Sequence, residues 1–232
     1  MNIESFKLPR PPTAIRIFLV GEVLAFTAVM AACIWRQPSQ VGGFQWWHAL
    51  LWAAAVALPI GANVLHGDRP ADSGLRTDNL RPAAGQALAA TVVLALAISA
   101  VGLMAGGFSD MRWGKSLRLA ATYVAVGLLQ QYILQAFVLC RLRQAGLGTP
   151  MAVAGAAGLF AALHAPNWVL SGLTGGAAVV WCTLFLRHRN LLVLSVSHGV
   201  LAWLIYHGWP KAWHLGLAIG PRYLSRLARS GP

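Results

Sequence analysis

The run Leu128-Leu129-Gln130-Gln131-Tyr132-Ile133-Leu134-Gln135-Ala136-Phe137 sets three side-chain amides in the middle of an apolar stretch. That stretch, about Leu119 to Leu139, has the length that crosses a bilayer, roughly 20 residues. A primary amide left without a partner in hydrocarbon costs several kcal/mol. On a helix Gln131 and Gln135 are four apart and share a face, with Gln130 beside them. Such a face turns into a helix bundle, away from lipid. Taken alone it needs no more than interhelical hydrogen bonding, a common use of Gln in membrane helices.

The whole chain fits that setting. Of its 232 residues 57% are hydrophobic and only 10% charged, against about 25% charged in soluble domains. The apolar residues fall in continuous blocks of near-spanning length. This predicts an all-α, polytopic transmembrane bundle of about seven to eight spans and argues against a β-barrel, whose strands alternate. The net charge of +12 comes from Lys and Arg between the blocks, where they meet lipid headgroups and set topology. Nucleic acid is therefore not expected as a partner. Cys33, Cys140 and Cys182 lie in or beside apolar blocks. An odd count without a CxxC indicates neither a disulfide framework nor a zinc knuckle.

Along the chain, residues 1–82 read as an N-terminal helix pair with a polar loop, 83–210 as the membrane core, and 211–232 as a basic tail. Block one, about Ala14 to Trp35, carries Glu22 well inside an apolar run. Intramembrane acids are functional candidates by default; the alternative is an interfacial position or a pair with Arg16. Block two runs from about Phe44 to Leu65. The polar loop His66 to Pro82 follows, then an Ala/Val/Leu-rich block to Gly106. The glutamine block ends at Arg141 and Arg143. Further blocks cover about Pro150–Ala165, Trp168–Leu186 and Leu191–Tyr206. The weaker stretch Ala212–Ile219 is either interfacial or a short eighth span. No cleavable signal pattern is evident, so block one is expected to stay as a signal anchor.

Gln130/Gln131, His164 and His198 stand deep in three different blocks, 33 and 34 residues apart. Two intramembrane histidines and a Gln pair on a third helix point to one polar cavity. In order and spacing the pattern resembles the CPBP family, the CAAX proteases and bacteriocin-processing (Abi, type II CAAX endopeptidase-like) membrane enzymes. Gln130-Gln131-Tyr132-Ile133-Leu134-Gln135 stands where that family carries Glu-Glu-x-x-x-Arg. Phe160-Ala161-Ala162-Leu163-His164 matches Phe-x-x-x-His. His198-Gly199-Val200-Leu201-Ala202 matches the start of His-x-x-x-Asn. The resemblance covers roughly residues 118–206.

It implies a CAAX-protease-like intramembrane fold and an endopeptidase that processes a membrane-embedded or lipidated peptide or protein. In the family the first-motif glutamate, with a histidine, activates water, and the later His and Asn stabilise the oxyanion. Here both glutamates are Gln, the Arg is Gln135 and the Asn is Ala202. A glutamine has no useful basicity, although it can orient water or donate to an oxyanion. Three arrangements follow. His164 or His198 is the base while Gln130 or Gln131 positions water; Glu22 folds in to replace the lost carboxylate; or the cavity binds a peptide without cutting it, as a membrane adaptor. Asn167 is a candidate for the missing oxyanion amide, with helix capping as its other role. Family members are often named metalloproteases. His164 and His198 are the ligands if zinc is bound, yet two histidines without a dependable carboxylate make a poor zinc set. The basic loops suit a multi-pass protein of a bacterial inner membrane, in contact with its lipids.

Overall fold

The computed structural model describes residues 11–38, 45–108 and 113–230. Lys7 and Arg10 of the polar lead, and Asp110 of the basic loop, lie outside the described residues. Among the described residues the regular structure is helical throughout. The helices are α1 (Thr13–Trp35), α2 (Trp46–Leu65), α3 (Leu80–Met104), α4 (Trp113–Gln131), a π-helical segment (Tyr132–Leu139), α5 (Cys140–Gln144), α6 (Thr149–Ala162), α7 (Trp168–His188), α8 (Leu191–Gly208), α9 (Lys211–His214) and α10 (Gly220–Ser230).

Among the described residues six helical stretches are long and apolar enough to cross a membrane, and α4, the π segment and α5 form one of them over Ser116–Gln144. The protein is an integral, multi-pass membrane protein. α6 has 14 residues, about 21 Å at 1.5 Å per residue, and falls short of the roughly 30 Å hydrocarbon core. The stretch 212–219 is not an eighth span. It breaks into α9 and a turn in which Leu215 and Leu217 both take positive φ, 45° and 55°. No helix continues through such residues.

α4 packs along α8, and α3 covers the other side of α8. The α4–α8 approach depends on Gly199: a Cβ there would lie 2.5 Å from Val124 Cγ2 and 2.8 Å from Val124 Cα. Small residues of this kind let membrane helices approach closely without a hydrophobic driving force. α6 pairs with α7, and α1 with α2 and α5. The core is built around Phe26, Phe137, Phe185, Leu134, Leu139 and Leu191, each less than 2% exposed. Cys33, Cys140 and Cys182 are free thiols buried in that core. In the exposed 66–79 loop, the hydrogen bond from the Arg76 guanidinium holds the Asp78 carboxyl below its ordinary pKa.

The most heavily charged interior point sits at the end of the bundle where α1 begins. Arg141 is fully buried. Its Nε donates to Glu22 Oε2 (2.9 Å), its Nη1 to Gln144 Oε1 (2.7 Å) and its Nη2 to Asn63 Oδ1 (2.8 Å). Asp68 lies 3.5 Å from Nη1, and His66 Nε2 meets the other Glu22 oxygen at 3.1 Å. Glu22 therefore pairs with Arg141 and His66, and not with Arg16, whose Nε donates to the Ala145 carbonyl (3.1 Å).

Candidate functional site

The site is assembled from α4, the loop after α6, α7 and α8. Gln130, near the end of α4, and His198, midway along α8, line one cavity of about 500 Å³ with His164, which follows α6. The other walls are mostly apolar residues of α3, α4, α7, α8 and the stretch after α8, with Tyr123 and Thr174 as further polar side chains. Ala202, one turn after His198, is among the apolar ones. Of the positions that carry the motif resemblance, Gln130, His164, His198 and Ala202 thus face one space; Phe160 does not line it, and neither do Gln131 and Gln135. Those two lie behind it, each 0% exposed.

They are nevertheless connected to it. Gln135 Nε2 donates to Gln131 Oε1 (3.1 Å), and Gln131 Nε2 lies 3.2 Å from His198 Nδ1. Because the Gln131 oxygen already accepts from Gln135, its NH₂ end points at the imidazole. Nδ1 of neutral His198 is then the acceptor, and its proton sits on Nε2. His164 has the opposite arrangement. Its Nδ1 is 2.7 Å from the Phe160 carbonyl oxygen, which can only accept, so Nδ1 carries the hydrogen and Nε2 of the neutral ring keeps a lone pair. One imidazole is a donor through Nε2 and the other an acceptor through Nε2.

Packing holds both rings in place. His198 stacks on Trp181 at 4.6 Å between centroids and 10° between planes. Phe160 meets His164 edge-on at 4.8 Å and His198 at 6.2 Å. The Trp181 indole is itself held, since Nε1 donates to Ser197 Oγ (3.0 Å), which also accepts from Thr91 Oγ1 (2.7 Å). Trp181 was not singled out in the sequence. Its signal was a tryptophan in the middle of an apolar helix, where aromatic belts would place it at an end.

The remaining candidates lie elsewhere. Glu22 is engaged by Arg141 and His66 and does not line the cavity. Asn167 is fully buried and occupied at both ends of its amide. Its Oδ1 accepts from Leu170 N–H (3.1 Å), capping α7, while Nδ2 donates to the carbonyls of His214 (3.2 Å) and Ala218 (3.0 Å). Neither is placed to replace the family's carboxylate or oxyanion amide. All six acids of the chain precede residue 111, so the stretch that builds the cavity has no Asp or Glu. Among the described residues no three His, Cys, Asp or Glu side chains cluster as a metal site requires. Two imidazoles and a neutral amide do not fit zinc, which takes three protein ligands in catalytic sites.

Among the described residues three buried side-chain oxygens in this region have no hydrogen-bond partner: Gln130 Oε1 at the cavity wall, Gln135 Oε1 behind it and Ser171 Oγ on α7. The site therefore combines a lone-pair nitrogen, an N–H donor and an unpartnered amide oxygen buried in a largely apolar wall. A family model, type II CAAX prenyl endopeptidase Rce1-like, matches residues 112–204. This part of the chain is similar to the CAAX-protease family. The matched stretch extends into the second half of α8 and includes Gln130, His164, His198 and Ala202. No curated protein and no solved structure matches the chain significantly.

Proposed function

We propose that this CAAX-protease-like protein is an intramembrane endopeptidase that cuts a membrane-embedded or lipidated peptide, with a histidine in place of the family's glutamate as base. The observation that carries the reading is the pair of imidazoles of opposite polarity on one cavity. Water held by Gln130 Oε1 gives a proton to His164 Nε2 as its oxygen attacks the scissile carbonyl carbon. The carbonyl oxygen, now negative, accepts from His198 Nε2–H. The imidazolium of His164 then returns the proton to the leaving amide nitrogen as the C–N bond breaks. Apolar walls strengthen each of these interactions by excluding water.

A second reading is favoured by one specific observation, the absence of any carboxylate from the described cavity wall. Without that base the cavity binds a peptide segment and leaves it whole, as a membrane adaptor. The basic loops support residence in a bacterial inner membrane in either case.

The test compares native membranes carrying wild type, His164→Ala and His198→Ala at matched folded levels, read by terminal proteomics. Fragments of membrane proteins present in wild type and missing from both variants are expected. Unchanged fragments with a folded protein would overturn the protease reading. Retention of a crosslinked membrane partner by both variants would then favour the adaptor.

A further inference from the structure

At the end of the bundle opposite Arg141, the chain leaves α8 at Gly208 and doubles back over the cavity before forming α10. The connecting strap, residues 209–219, supplies Trp209, Leu217 and Ile219 to the cavity wall. Backbone bonds pin it to the loop that follows His164: Gly220 N–H donates to the Ala165 carbonyl (3.1 Å), and Asn167 Nδ2 reaches the strap carbonyls described above. The strap is also joined to α10, since Arg226 Nη1 donates to the Leu215 carbonyl (2.5 Å). Leu215, Gly216, Leu217 and Gly220 all have positive φ, and for the two leucines that conformation is costly.

α10 has two sharply different faces. At about 100° per residue, Arg222, Arg226 and Arg229 fall along one side and Leu224, Leu227 and Ala228 along the other. Leu224 and Leu227 are 45% and 47% exposed. Among the described residues none of the three arginines forms an ion pair, and the sequence has no acid after residue 110. The level of α10 is fixed by its neighbours. Gly220 sits against Ile34, near the end of α1, with room for no Cβ, and α1 and α8 both finish at this end. The half-exposed Trp213 (42%) is the residue type that marks a membrane–water boundary.

The geometry points to α10 as a docking helix for the anionic headgroup layer of the protein's own membrane, which through Arg226 and the strap holds the end wall of the cavity in place. Leu224, Leu227 and Ala228 enter the acyl boundary, and the three arginines lie among lipid phosphates, the arrangement of an interfacial amphipathic helix. The cavity wall then responds to the charge of the surrounding lipid. This inference stands independently of whether the cavity cuts or only binds.

The test uses the full chain reconstituted in vesicles of phosphatidylcholine alone or mixed with phosphatidylglycerol. An environment-sensitive fluorophore is attached at Ala228→Cys; the three native thiols are buried and do not compete. Immersion is read by quenching with brominated lipid, and hydrogen exchange of the 209–219 amides is followed in the same vesicles. Quenching is expected to rise and strap exchange to slow in the anionic vesicles. Neutralising Arg222 and Arg229 to Gln should lower the ratio of immersed to free helix by about fivefold each. Leu224→Ser, which keeps the charge, should lower immersion in both lipids. Equal quenching in the two vesicle types overturns anionic docking. Lipid-dependent quenching with unchanged strap exchange overturns the coupling to the cavity.

Discussion

One spanning helix, Ser116–Gln144, carries two polar regions that treat their hydrogen bonds in opposite ways. Around Arg141 every guanidinium nitrogen has a partner, and the partners come from α1, α2 and α5. Asn63 is itself fastened, its Nδ2 donating to Tyr132 Oη (3.0 Å) and the Ala136 carbonyl (3.3 Å). Around Gln131 the bonds run in single file, from Gln135 to Gln131 to His198, and the oxygens of Gln130 and Gln135 are left over. A buried polar group normally finds a partner. The first region is closed and joins helices. The second keeps capacity at a cavity wall, as a site for a guest must. Polarity inside a membrane is thus not by itself a mark of function; unused polarity beside a cavity is a better one.

The sharpest way to break this contrast is Arg141→Met. It removes the donor to Glu22 Oε2 and to Asn63 Oδ1 and is expected to cost about 3–5 kcal/mol, read as a lowered thermal midpoint of the purified protein in detergent. Adding Glu22→Gln should restore part of the loss. If the single variant costs under about 1 kcal/mol, the closed region is not an anchor.

The next effect sharpens the open region. Ala202→Asn places an amide on the cavity wall where the His-x-x-x-Asn motif of the similar family has one. On the protease reading it should raise the cleavage rate of a fragment found by terminal proteomics about a hundredfold, the usual worth of an oxyanion donor. No change in that rate would show that the cavity does not hold the oxyanion beside Ala202.

Gln131→Leu removes the donor to His198 and the acceptor for Gln135, with an expected loss of about 1–3 kcal/mol in the same melting experiment. The companion Gln131→Glu presents only acceptors to the imidazole. The neutral His198 proton should move from Nε2 to Nδ1, visible in the nitrogen-15 shifts of labelled histidine. A proton already on Nδ1 in the wild type would reverse the polarity assigned to the two histidines. Smallest of the four, Asn167→Ala removes the α7 cap together with the donor to the His214 and Ala218 carbonyls and should cost about 1–2 kcal/mol, measured by the same melts.

Much of this was legible in the sequence because an amide or imidazole stands out against hydrocarbon. The helical class, the membrane setting and the similarity of the core to the CAAX proteases were readable from block lengths and from Gln130, His164 and His198. What was not readable depended on contacts between distant residues. Glu22 and Arg141 are 119 positions apart, and nothing local shows that they meet, so Glu22 remained a candidate for the cavity. Asn167 caps its own helix, as its position beside Trp168 suggested, but its hold on the strap involves two backbone carbonyls that have no sequence signature. The strap itself looked like an apolar segment, since hydropathy does not register a left-handed turn at Leu215 and Leu217.

The π segment between the two regions has an evolutionary consequence. A π turn behaves as an α-helix that has absorbed an extra residue. Loss of one residue from Tyr132–Leu139 would therefore return the stretch to a plain α-helix and leave Gln131 and Arg141 nearly in phase. The same loss from an α-helical part of the span would swing one side against the other by about 100°. The segment is the place where this helix can take up a change of length and still hold both cavity and anchor.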